Sequence, residues 1–357
     1  MTTAARSQAK KALLRGYPWA KSPFIVSAPM RVLTGPSLAV QVSQAGGLGF
    51  IGPQIKPDNI YADFDKAAEL VRSSAALSSH ASSTLPVGVG FQTWNDDLQH
   101  SLPVIAKYKP CAVWLFAPRD GQRELDEWAA KIREASPETQ IWAQVGTLVE
   151  AVAAAASQSR PDVLVVQGGE AGGHGRAKDG MGTMVLFPEV ADALKDSGIP
   201  LVAAGGIVDG RGVAAALSLG AAAAAMGTRM LASNEARIAK GYQDEVIRAS
   251  DGAVSTVRTH LYNHLRGTFG WPEQWAPRTL INKSWEEHEA GASFEELKER
   301  HDKAAAAGDA GWGPDGRLAT YVGAGVGLVR SVDSAADIVS NARDEATQTL
   351  RSLLEEM

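Results

Sequence analysis

Short runs of consecutive apolar residues recur along the chain. Each is closed by glycine or a polar turn and followed by a stretch with helical spacing. The runs lie at 24–28 (FIVSA), 47–52 (GLGFIG), 85–91 (LPVGVGF), 111–116 (CAVWLF), 140–145 (QIWAQV), 162–167 (DVLVVQ), 200–206 (PLVAAGG) and 222–228 (AAAAMGT). Several are apolar on successive positions rather than alternate ones, the pattern of parallel strands buried on both faces. Between them come helical patterns such as NIYADFDKAAELVRSSAALSSH, LDEWAAKIREAS, TLVEAVAAAASQS, FPEVADALKDSG and GRGVAAALSLG. Eight strands alternating with helices predict an α/β fold of the (β/α)8 TIM-barrel type. An open doubly wound sheet with a dinucleotide site is disfavoured, because no Gly-x-Gly-x-x-Gly opens a first helix.

The rhythm stops after the eighth run. Residues 234–317 are rich in charge and tryptophan and predict a smaller helical insertion or cap. Residues 318–357 return through the glycine-rich ATYVGAGVGLV to an amphipathic C-terminal helix expected to pack on the barrel. Residues 1–233 form the main part of the barrel in this division. The basic leader at residues 1–22 lacks the apolar core of a secretory signal and is expected to be a helix covering one end of the fold.

Composition changes this picture little. At 45% apolar and 21% charged residues, the 357-residue chain has the make-up of a globular protein. A net charge of −5 offers no basic field for nucleic acid. No apolar stretch reaches the length of a bilayer span. Cys111 is the only cysteine, so neither an internal disulfide nor a cysteine metal cluster is expected, and no metal site is predicted. A cytoplasmic location fits these features, and assembly as a homodimer is compatible with them.

Barrel enzymes carry their chemistry at the C-terminal ends of the strands. Those ends hold Ala28, Pro29 and Met30 (APM), Gln92 (GFQTW), Gln144 (AQVG), the run GGEAGGHG, Gly205 and Gly206 (GGI), and Gly227 and Thr228 (MGT). The glycine turns after the seventh and eighth strands suit a phosphate held by backbone N–H groups. In GGEAGGHG, glycines 172 and 173 allow close approach of a flat ligand, and His174 can stand over it as donor or base. Glu170 is equally well read as an anchor that accepts backbone N–H groups. The other six histidines fall in helical or inserted stretches and are read as structural or surface residues. Tyr262 and the tryptophans of the insertion are read as packing between insertion and barrel, with roofing of the pocket as the alternative.

The run from SAPM through GEAGGHG and AAGGI to GAAAAAMGTRMLAS, resumed at YVGAGVGLV, resembles the nitronate monooxygenase family, formerly called 2-nitropropane dioxygenases. The resemblance implies an FMN-dependent TIM barrel with a small helical cap, acting with O2 on alkyl nitronates, with nitroalkanes as the wider substrate class, to give carbonyl compounds and nitrite. It implies that His174 is the catalytic residue, removing an α-proton or steadying the nitronate. It further implies that Ala28, Pro29 and Met30 line the flavin ring, that Gln92 and Gln144 bond its polar edge, and that Gly172 and Gly173 pass close to it. Gly205, Gly206, Gly227 and Thr228 would hold the phosphate. The chain departs from many relatives in carrying Gln144 where they have a lysine. Two alternatives stay open on the residues: an NAD(P)H-dependent flavin reductase acting on quinones or an enoyl thioester, and a phosphate-ligand-binding barrel without turnover.

Overall fold

The computed structural model describes residues 3–54 and 59–356; the first two residues of the leader lie outside them. Eleven strands are present among the described residues: β1 (Ile25–Ser27), β2 (Leu48–Ile51), β3 (Leu85–Gln92), β4 (Pro110–Phe116), β5 (Gln140–Val145), β6 (Val163–Gln167), β7 (Gly173–Arg176), β8 (Leu201–Ala204), β9 (Ala223–Met226), β10 (Thr256–Arg258) and β11 (Trp275–Leu280). Eight of them close into a parallel barrel in the order β1-β2-β3-β4-β5-β6-β8-β9, with β1 pairing back onto β9 at Val26 and Ala225. These eight coincide with the eight apolar runs. β2, β8 and β9 are buried at every position, as both-face burial in a barrel requires.

The barrel interior is filled by large rings on one side and small residues on the other. Phe50, Trp114 and Trp142 contact one another at centroid distances of 5.2, 5.3 and 5.8 Å. β9 is Ala-Ala-Ala-Met and β8 is Leu-Val-Ala-Ala. Gly88 makes room for Phe50, since a Cβ there would meet the ring at 2.4 Å. The leader forms the helix Thr3–Arg15 and then sends fully buried Tyr17 towards the N-terminal ends of the strands. There Trp142 Nε1 donates to the Tyr17 hydroxyl at 2.8 Å, and that hydroxyl donates to Gln140 at 2.8 Å, closing this end of the barrel.

The C-terminal helix Ala335–Glu355 packs on the barrel helices Gly210–Ser218 and Pro36–Gln44. Arg343 on it donates to the carbonyls of Ala45 (2.9 Å) and Pro23 (3.2 Å). The segment after β9, expected as a helical insertion, is mostly helical but also carries β10 and β11. These two strands join β7, from the loop after β6, in an antiparallel sheet ordered β10-β11-β7. Register places Pro277 opposite His174 and Arg278 opposite Gly173. The GGHG stretch is therefore not a free loop but an edge strand laid against the insertion.

Candidate active site

A cavity of about 1050 Å³ opens at the C-terminal ends of the barrel strands, between them and the insertion. All twelve residues singled out in the sequence line it: Ala28, Pro29 and Met30 after β1, Gln92 and Gln144 at the ends of β3 and β5, and Gly172, Gly173 and His174 beyond β6. Gly205, Gly206, Gly227 and Thr228 follow β8 and β9.

The two glutamines present complementary groups. Gln144 Oε1 accepts from the indole Nε1 of Trp114 at 2.9 Å, which leaves its NH2 as donor. Gln92 Oε1 is buried and has no partner. One amide thus offers hydrogens and the other an unsatisfied acceptor, the pairing wanted by a flat heterocycle whose edge carries both carbonyl and N–H groups. At the far wall, Gly205 and Gly206 have φ of +97° and +74°, conformations only glycine adopts without strain. The backbone N–H groups of Gly205, Gly206, Gly227 and Thr228 have no partner among the described residues. A Cβ on Gly227 would meet nothing nearer than 3.9 Å. Free amides beside an open turn are what an anionic tail requires. The Thr228 hydroxyl also accepts from Gly323 N at 2.8 Å, so the return segment borders the same wall.

Glu170 anchors the loop by accepting a backbone N–H. Both its oxygens lie 2.9 Å from Thr183 N, and the Thr183 hydroxyl donates to it at 3.1 Å.

His174 sits on β7 with its ring stacked on Trp271, centroids 3.5 Å apart and planes 8° from parallel. Asn263 Nδ2 lies 3.0 Å from its Nε2. Burial holds the imidazole well below its ordinary pKa, and the nearby His260, Arg258 and Arg31 push the same way; the Asn263 hydrogen bond opposes them. His174 is neutral at pH 7. Arg258, itself pulled down to about 10 by burial and by Arg278, donates to the carbonyls of Ala171 (2.7 Å), Gly173 (3.1 Å), Gly169 (3.2 Å) and Ala276 (2.5 Å).

The cavity also contains charge that the sequence reading did not single out. Arg31 lines it with Nε buried and unpartnered. The carboxylate it feels, Asp96, is raised to about 6 by burial, against the hydrogen bond from Gln92 N and the pull of Arg31. Arg266 lines it as well and lies 5.4 Å over the Tyr321 ring. Asn263, Tyr321 and His301 line it too without having been singled out, and Trp271 takes the roofing position given as the alternative for the insertion's tryptophans. His301 was read as structural, yet it borders the cavity. Tyr262, by contrast, is fully buried and donates to Asn282 at 2.8 Å, so it packs, while Trp271 roofs. The signal that existed was the polar cluster HLYNHLRG in an otherwise packing-rich insertion, and it did not say which polar residue turned inward.

The sequence model of the nitronate monooxygenase family matches residues 130–343. The nitronate monooxygenase npaC of Metarhizium robertsii is 66% identical over 99% of both chains. A nitronate monooxygenase of Neurospora crassa is 34% identical over 94% of this chain and 92% of its own. Among solved structures, FabK from Thermotoga maritima superposes with a TM-score of 0.72 at 25% identity, covering 93% of this chain and 95% of its own. No described helix is long and apolar enough to cross a membrane.

Proposed function

The chain belongs to the nitronate monooxygenase family, and from that membership we propose that it binds FMN and oxidises alkyl nitronates with O2 to carbonyl compounds and nitrite. Atoms and charge balance when two nitronates and one O2 give two carbonyl compounds and two nitrite ions. Bound FMN supplies the electron acceptor and the contact with O2. Gln92 and Gln144 hold the polar edge of its ring, and Ala28, Pro29, Met30, Gly172 and Gly173 flank it. Gly205, Gly206, Gly227 and Thr228 hold its phosphate.

The observation that carries the substrate class is a neutral imidazole beside cations, of which Arg31 faces the carboxylate of Asp96 without a direct ion pair. Arg31 forms no ion pair among the described residues, and its Nε lacks any partner. Such a pocket favours a small anion over a neutral molecule. His174 hydrogen-bonds the nitronate oxygen, Arg31 offsets its charge, and Trp271 keeps water from that face of the ring. A nitronate arrives already deprotonated, so no strong base is needed.

The test is anaerobic mixing of the yellow holoenzyme. Propane-2-nitronate is expected to bleach the flavin, with acetone and nitrite formed once air is admitted. Rapid bleaching by NADH or NADPH, with none by the nitronate, overturns the reading in favour of a reductase. A protein that takes up no FMN removes both.

A further inference from the structure

The polar side chains around His174 form a chain in which each proton has one place. Arg266 Nη1 lies 3.0 Å from the Tyr321 hydroxyl, and a guanidinium only donates. The tyrosine oxygen accepts that hydrogen, so its own O–H points onward to Asn263 Oδ1, at 3.4 Å. Tyr321 is held for this by Tyr242: its N–H donates to the Tyr242 hydroxyl at 2.8 Å, and that hydroxyl donates to its carbonyl at 3.0 Å. An amide whose oxygen faces a donor turns its NH2 the other way. Asn263, only 3% exposed, accordingly presents Nδ2 to His174 Nε2 at 3.0 Å. Nε2 must then be the nitrogen with the lone pair.

We propose that Asn263 is a positioning residue that holds neutral His174 in the tautomer with hydrogen on Nδ1, so that the ring offers the cavity an N–H donor. No group among the described residues bonds Nδ1. The consequence for reaction rests on the nitronate reading above: an N–H donor suits an anionic oxygen, while the basic nitrogen is occupied. The charged and titratable groups acting on the ring are Arg31 from the loop after β1, Arg258 from β10 and His260 beside it. None is a carboxylate, so nothing competes with Asn263 for the choice of tautomer.

The test is imidazole 15N NMR of the holoenzyme labelled with 15N-histidine, with His174 identified by the signals lost in His174→Asn. The wild-type ring is expected to be protonated at Nδ1 alone at pH 7. In Asn263→Asp the carboxylate accepts where the amide donated. His174 is then expected to carry hydrogen on Nε2 and to stay doubly protonated to higher pH. The same variant should lose roughly 10²-fold in kcat/KM for propane-2-nitronate, with a new inflection in the pH profile as the imidazolium titrates. Wild-type His174 protonated at Nε2 overturns the proposal even if the variant fails to fold. So does an Asn263→Asp enzyme with an unchanged tautomer and unchanged pH profile. An Nδ1-protonated ring in a protein that turns over no nitronate keeps the tautomer assignment and removes the proposed reaction instead.

Discussion

Gly172 and Gly227 both border the cavity, but a methyl group on each would meet different neighbours. At Gly172 a Cβ would stand 2.4 Å from Val322 C and Gly323 N, backbone that cannot swing aside. At Gly227 the nearest atoms are Ala28 Cβ and Met30 Sδ, both at 3.9 Å. Gly172→Ala is therefore expected to cost about 1–3 kcal/mol of stability by overpacking, read from the denaturant midpoint. Gly227→Ala should change stability by less than about 0.5 kcal/mol, yet weaken FMN binding about tenfold, ~1.4 kcal/mol, in a dialysis titration. Wild-type FMN affinity in Gly227→Ala would take the phosphate away from that turn. The glycines and His174 were legible because a barrel presents its strand ends to one mouth, so position alone selects them. Asn263 was not. It reaches His174 across 89 residues of sequence, and Tyr321 reaches Asn263 across 58, separations that no local pattern encodes.

At the level of elements, the barrel strands were readable because each brings its own burial. β4 is PCAVWLF and β6 is VLVVQ, and such runs have nowhere to go but between layers. The strands of the cap lack that property. β7 is Gly-His-Gly-Arg, and β11 is Trp-Ala-Pro-Arg-Thr-Leu with Pro277 in the middle strand of its sheet, a residue that ordinarily argues against such a position. They exist because they pair with each other, and because Arg258 on β10 ties together the carbonyls of both sides. Arg258→Met keeps the length of the stem but removes four hydrogen bonds, of which only the one to Gly169 has a second side-chain donor, Arg278 Nη2 at 3.1 Å, and is expected to cost about 2–3 kcal/mol. Chemical denaturation measures this; an unchanged midpoint would mean that water or the backbone replaces the guanidinium. Removing that positive charge also relieves one of the influences that hold His174 neutral.

Across the whole molecule, the chain divides its work between two ends of one barrel. Tyr17, Trp142, Phe50 and Trp114 fill the interior from the sealed end to the cavity floor. The opposite end gathers residues from the loops after β1 and β6, from the insertion and from the return segment. Closure of the ring was readable from the count of strands. How the insertion docks was not, because Trp271 and Trp275 meet Trp94 and Phe116 across more than 150 residues of sequence, and no local pattern pairs them. Because β7 is laddered to β11, the roof and the imidazole are a single stitched fabric. Lifting the roof would tear His174 out of its setting rather than unveil it, so reactants must thread past side chains at the rim while the weave stays whole. Amide hydrogen exchange should then release residues 173–176 and 275–278 together and slowly; fast, separate release of 275–278 would mean that the fabric parts at that seam.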